Sequence, residues 1–158
     1  MSTEPITIDG AKKLQDELAL LTGSKRQEVI KAIAEARAHG DLKENAEYHA
    51  AKEGQSHNES RIQEIQSLLA NAEIIDIKNI NQDSKVVFGC TVKLKDLETD
   101  EKKVFKIVGH EEADIDNNLI SYKSPVAKEL IGKEKDEFVM VNTPKGEKSY
   151  EITAILYE

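Results

Sequence analysis

A three-four rhythm runs unbroken from residue 48 to residue 72. Its positions hold Tyr48, Ala51, Gln55, Asn58, Ile62, Ile65, Leu69 and Ala72. This is the a/d seam of a coiled coil. The seam is apolar toward its C-terminal end and polar in the middle, at Gln55 and Asn58. Polar seam positions cost stability and fix register. A helix over about residues 45–73 is roughly 40 Å long at 1.5 Å per residue.

The upstream segment carries the same rhythm in two phases. Ala11, Leu14, Leu18 and Leu21 form one run, and Val29, Ile33 and Ala36 resume it in a shifted phase. The 11-residue step from Leu18 to Val29 is a stutter, which locally unwinds a supercoil. Thr22-Gly23-Ser24 falls between the runs and predicts a kink there. Thr7 and Asp9 are the candidate caps at the start. Two such helices joined by a short turn form an antiparallel hairpin. Its tip falls in Gly40-Asp41-Leu42-Lys43-Glu44-Asn45-Ala46-Glu47-Tyr48-His49, with the carboxylates of Asp41 and Glu44 near the turn.

The pattern changes after Ile74. Residues 74–80 read as a strand or linker. Short β-type runs follow at Val86–Leu94, Val104–Val108, Leu119–Tyr122, Phe138–Val141 and Tyr150–Leu156. The last two flank Thr143-Pro144-Lys145-Gly146, a hairpin turn signal. Between them Ser124-Pro125 opens one short helix, with Ser124 as N-cap, Pro125 first and Gly132 as the stop. The fold class is α+β, in two domains. Residues 1–76 form a coiled-coil hairpin. Residues 77–158 form an antiparallel sheet carrying one helix.

Charge and composition narrow the function. Residues 1–78 hold 10 Lys/Arg against 14 Asp/Glu, and residues 79–158 hold 12 against 16, so each half carries −4. Bulk electrostatic gripping of a duplex is disfavoured, because it rests on cationic neutralisation of phosphates. No apolar run approaches the length of a membrane helix, and no basic-then-apolar leader begins the chain. The single cysteine, Cys90, suits a reducing compartment, and its apolar neighbours point to packing. A cytoplasmic location is expected. There is no P-loop, no dinucleotide fingerprint, no zinc motif among His39, His49, His57 and His110, and no G-x-S-x-G elbow.

Asp41 and Glu44 admit two readings. Asp41 with Glu44 three residues on resembles a capping box, with Asp in place of Ser or Thr. Alternatively they are an incomplete metal site. Mg²⁺ commonly takes one or two protein carboxylates and fills its remaining positions with water and substrate phosphates.

Gly40–Lys52, reading GDLKENAEYHAAK, resembles the tip signature of the Gre family of bacterial transcript cleavage factors. Ala32–His39, Val86–Thr91, Ile107-Val108-Gly109, Glu112-Ala113-Asp114, Asn118–Ser121 and Ser124-Pro125…Leu130-Ile131-Gly132-Lys133 resemble that family in the same order. The resemblance spans nearly the whole chain. It implies a second domain like the FKBP-type prolyl isomerases that docks at the rim of the secondary channel of bacterial RNA polymerase. It implies a coiled coil entering that channel, and a tip that helps the polymerase hold a second Mg²⁺ and a water. The polymerase then cleaves the extruded 3′ end of backtracked nascent RNA, so the factor stimulates an activity that is not its own.

On this resemblance Asp41 and Glu44 are the metal-assisting acids, through Mg²⁺ shared with the polymerase, and the chain has no cofactor of its own. Tyr48 supports the tip or meets RNA, or is simply a seam residue. Arg37 and Lys52 flank the tip as candidate contacts to transcript phosphates, and solvated helix charge accounts for them equally. Ser121, Ser124, Pro125, Leu130 and Gly132 are the candidate polymerase-docking residues. The factor is expected to act as a monomer, away from membranes. Two rival functions are a channel-binding regulator that stimulates no cleavage and a prolyl isomerase. The intact Asp41-x-x-Glu44 speaks against the first. The sparse aromatics of the second half, which has no Trp, speak against the other.

Overall fold

The computed structural model describes residues 3–41, 44–79 and 84–158. Leu42 and Lys43 of the tip segment lie outside the described residues, as does Ile80 at the end of the 74–80 stretch. The chain forms two compact units. One comprises residues 11–72, and the other comprises residues 3–10 together with 73–158. The sequence boundary at 76/77 grouped residues 3–10 with the hairpin, whereas the fold groups them with the sheet.

The helical unit has the expected elements. Helix α1 spans Ile8–Thr22, α2 spans Ser24–Ala38 and α3 spans Ala46–Ala70. Thr7 is the cap at the start, its hydroxyl accepting from the Gly10 N–H at 3.0 Å. The break at Gly23 follows from local chemistry. The Thr22 hydroxyl bonds back to the Leu18 carbonyl at 2.8 Å, a contact that bends helices. A Cβ on Gly23 would stand 2.9 Å from the Ala19 carbonyl oxygen, closer than side chains tolerate. The last-turn carbonyls of α1 run out of helical partners, and Asn58 of α3 donates to one of them, that of Leu21, at 3.1 Å.

The seam is as the rhythm requires. Asn58, Ile62 and Ile65 are buried, and Tyr48, Ala51, Gln55 and Leu69 are half-buried. Opposite them Ala11, Leu14, Val29 and Ala36 are buried. Two guanidinium forks bridge the helices. Arg61 meets both oxygens of Glu17 at 2.7 and 3.0 Å, and Arg26 meets both of Glu59 at 2.9 Å.

The sheet unit has five strands in the order β5-β4-β3-β7-β6. They span Thr91–Asp96 (β3), Lys102–Val108 (β4), Leu119–Ser121 (β5), Phe138–Thr143 (β6) and Gly146–Leu156 (β7). A separate two-stranded sheet joins β1 (Glu4–Thr7) and β2 (Ala72–Ile75). The five-stranded sheet is not wholly antiparallel as expected. β5 runs parallel to β4, because the segment between them crosses over through two short 3₁₀ turns at His110–Glu112 and Ile115–Asn117. Val86–Cys90, expected as the start of a strand, is a turn in which Cys90 N–H bonds the Val87 carbonyl and Gly89 takes φ +90°. The Thr143–Gly146 hairpin forms as expected.

Helix α4, Pro125–Leu130, covers one face of the sheet. Ser124 caps it by accepting from the Ala127 N–H at 3.2 Å, and Gly132 ends it at φ +92°. The core beneath includes Val92, Leu94, Ile107, Leu130, Val141 and Ile152, all essentially sealed from water. Burial pushes the Cys90 thiol above its ordinary value, which suits packing and not nucleophilic chemistry.

Candidate functional site

The turn joining α2 to α3 begins where α2 loses its hydrogen-bond ladder. His39 closes the helix with its N–H on the Ala36 carbonyl at 3.2 Å. Gly40 then takes φ +122°, a conformation that side-chain-bearing residues rarely adopt, and the chain turns. Asp41 follows, exposed, and Glu44 is exposed on the far side of the turn.

The cap of α3 is Asn45. Its side-chain oxygen accepts from the Tyr48 N–H at 3.1 Å, while its amide nitrogen donates to the Ala36 carbonyl at 2.6 Å. One side chain thus satisfies the first turn of α3 and the last turn of α2, and pins the two helices at the turn. The capping-box reading of Asp41 with Glu44 therefore does not hold. Asn45 was legible as a cap residue beside the first periodic position, but Asp41 carries the same signal.

Around this turn, His39, Asp41, Glu44, Asn45 and Glu47 line a shallow, open depression. His39 and Glu47 approach to 3.9 Å across it. Among the described residues no group of three or more His, Cys, Asp or Glu side chains is placed to hold a metal ion. Asp41 and Glu44 are both carboxylates, oxygen donors of the kind of which Mg²⁺ commonly takes one or two from a protein.

The flanking residues divide. Arg37 is exposed in the last turn of α2. Lys52 is exposed on α3, its ammonium 3.2 Å from the Gln55 side-chain oxygen. Tyr48 is half-buried in the seam, its ring edge-on to His49 at 5.8 Å between centroids.

In the sheet unit, Ser121, Ser124 and Pro125 lie together ahead of and at the start of α4. The Ser121 hydroxyl accepts from the Lys123 N–H at 3.1 Å and stands 3.4 Å from His110 Nδ1. Gly132 is a backbone turn, its N–H on the Val86 carbonyl at 2.9 Å. Leu130 is fully buried, so it presents nothing to a partner and holds α4 on the sheet. The family resemblance had placed the whole Ser121–Gly132 segment at the docking surface, and burial removes Leu130 from it.

Residues 4–74 match the family described as transcription elongation factor, N-terminal, and residues 81–157 match the family described as transcription elongation factor, GreA/GreB, C-term. The chain is 52% identical over 157 residues to transcription elongation factor GreA of Pelagibacter ubique, covering 99% of each. It is 54% identical over 158 residues to the GreA of Halorhodospira halophila, covering 100% of each. Among solved structures it is similar to Gfh1, the GreA factor homolog 1 of Thermus thermophilus, at 27% identity over 97% of this chain and 98% of that one, with a TM-score of 0.42. It is also similar to a GreA/GreB factor of Nitrosomonas europaea at 18% identity over 99% and 100%, with a TM-score of 0.44.

Proposed function

The chain belongs to the GreA/GreB transcription elongation factor family, and from that premise we propose that it binds RNA polymerase and stimulates cleavage of the 3′ end of backtracked nascent RNA. The observation that carries the reading is the division of labour at the turn. Asn45 caps α3, and the carboxylates of Asp41 and Glu44 stand beside that cap at the turn. Both are exposed at the end of a helix roughly 37 Å long.

The rest follows from that placement. The helical unit enters the secondary channel of the polymerase and brings the two carboxylates to its active centre. There they supply oxygen donors for a Mg²⁺ whose other ligands belong to the polymerase and the RNA. When bound, that ion supplies Lewis-acid stabilisation of the oxygens that attack and leave in phosphodiester hydrolysis. Asp41, nearest the Gly40 turn, is the more important of the two. Arg37 and Lys52 approach the RNA phosphates, and Tyr48 braces the turn from the seam. The sheet unit, of FKBP-like architecture, docks at the channel rim through the Ser121–Pro125 segment. The factor acts as a cytoplasmic monomer.

The test is RNA cleavage on stalled, backtracked elongation complexes. Asp41→Ala or Glu44→Ala lowers stimulated cleavage by about a hundredfold, the scale on which removing one charge-stabilising group slows a hydrolysis. Polymerase affinity stays at the parent's value, and helicity falls less than on loss of the Asn45 cap. If both variants cleave as the parent does, the carboxylates carry no chemistry. If the parent binds and never stimulates cleavage, the chain is a channel-binding regulator instead.

A further inference from the structure

The first strand of the chain is built into the sheet unit through two carboxylates, and both lead to the docking segment. Glu112 makes the inner attachment. One of its oxygens accepts from the Thr7 N–H at 3.0 Å and the Gly109 N–H at 2.8 Å, and the other accepts from the Thr7 hydroxyl. Thr7 is buried and in turn accepts from Gly10. The fit is tight on both sides. A Cβ on Gly10 would fall 2.1 Å from the Glu112 carboxyl, and one on Gly109 would fall 2.7 Å from the Pro5 carbonyl oxygen. Residues 5–10 and 109–112 therefore interlock, and no larger residue fits at either glycine.

Glu4 makes the outer attachment. Its carboxylate accepts from the Tyr122 hydroxyl and pairs with the Lys123 ammonium at 3.3 Å. The same ammonium lies 5.7 Å above the Tyr122 ring centroid, within cation–π range. These bonds lower the Glu4 carboxyl from its ordinary value, the Tyr122 bond foremost. Tyr122 and Lys123 sit between Ser121 and Ser124, at the segment assigned above to polymerase docking. Tyr122 also meets the edge of Phe88 at 5.8 Å, which ties it to the sheet beneath.

We propose that Glu4 and Glu112 are positioning residues for polymerase docking: through them the N-terminal strand sets the conformation of Ser121–Lys123 ahead of α4. This rests on the docking role proposed for that segment. Glu112 fixes where β1 lies, and Glu4 uses that position to orient Tyr122 and Lys123. The free energy of the exposed Glu4 pair is small. Its effect is on which conformation of Ser121–Lys123 meets the partner.

The experiment uses the full chain on backtracked complexes. It measures the concentration giving half-maximal stimulation separately from the cleavage rate at saturation. Circular dichroism confirms that each variant is folded. Glu4→Ala raises the half-saturating concentration about threefold, as expected for an exposed charged pair. Glu112→Ala raises it about tenfold, as expected for a lost charge-assisted bond. Neither lowers the saturated rate, because the turn bearing Asp41 and Glu44 is untouched. Glu112→Gln restores docking, since its amide oxygen accepts from Thr7 and Gly109 while its amide nitrogen donates to the Thr7 hydroxyl. Glu4→Gln restores it in part, by accepting from Tyr122 without pairing Lys123. The inference is overturned if Glu4→Ala and Glu112→Ala half-saturate as the parent does, or if they lower the saturated rate alone. A parent protein that stimulates no cleavage at any concentration overturns the proposed function, and this inference with it.

Discussion

The helical unit and the sheet unit are stable for different reasons. The sheet encloses a dry core in which Val92, Leu94, Ile107, Leu130, Val141 and Ile152 are sealed beneath α4. The helices share only a seam. That seam has a polar centre, where buried Asn58 spends its amide hydrogens on the Leu21 carbonyl and its side-chain oxygen finds no protein partner among the described residues. Two Arg–Glu forks and the Asn45 bridge supply what the narrow interior does not. A seam of this kind trades stability for register. Register matters for a rod that must present particular side chains at its end.

Three substitutions or conditions would break or sharpen this contrast. The largest effect belongs to the sheet. Leu94→Ala removes a fully buried side chain and costs about 2–5 kcal/mol, depending on how far the cavity collapses. Chemical denaturation followed by near-UV signal reads the sheet unit, because Tyr122, Tyr150 and Tyr157 lie there and only Tyr48 lies in the helices. Equal loss from an alanine at Asn58 would erase the distinction. The next effect belongs to the turn. Asn45→Ala costs about 1 kcal/mol, the ordinary cost of a lost N-cap, and helicity at 222 nm reports it. Asp41→Ala costs less helicity than Asn45→Ala does. If Asp41→Ala destabilised the helices as much as Asn45→Ala, the assignment of the cap would be wrong.

The smallest effect is acid sensitivity. Hydrogen bonds from Arg61 hold the Glu17 carboxyl below its ordinary value. Its folded pKa is depressed, so its contribution is present above the ordinary carboxylate value and is lost as pH falls through the depressed one. That contribution is under about 1 kcal/mol for a pair this exposed. Glu4 and Asp96 of the sheet unit shift in the same direction. Asp96 is itself buried in the sheet unit, so that unit also holds an acid-sensitive group. Helicity and the tyrosine signal should both decline as pH drops below 4.5, the ordinary glutamate value, and 0.5 M salt should lessen the helical decline by screening the Arg61–Glu17 fork. Coincident transitions at both salt concentrations would mean that the two units unfold as one.

What the sequence made legible was mostly local. The seam, the kink at Gly23 and the Ser124-Pro125…Gly132 helix depend on residues within a turn or two of each other, and each formed as read. The tip was legible as a turn but not in its division of roles. Asp41 and Asn45 both carry a cap signal, and only the length of the turn decides between them. Pairings across the chain were not legible. Nothing in Glu4–Thr7 announces that Glu112 will bind it, and a short strand such as Leu119–Ser121 gives no sign of running parallel to its neighbour. Leu130 was assigned to docking with its whole segment, but helical geometry turns it to the sheet.

The Thr7–Glu112 contact joins residues 105 positions apart. During synthesis β1 emerges before the residue that anchors it, which is made about 5–20 s later at ordinary elongation rates. In that interval α1, α2 and α3 have all been translated and contact one another through nearby sequence. β1 pairs first with β2, and its Glu112 attachment follows only after the helices have been made, while the sheet unit is still incomplete.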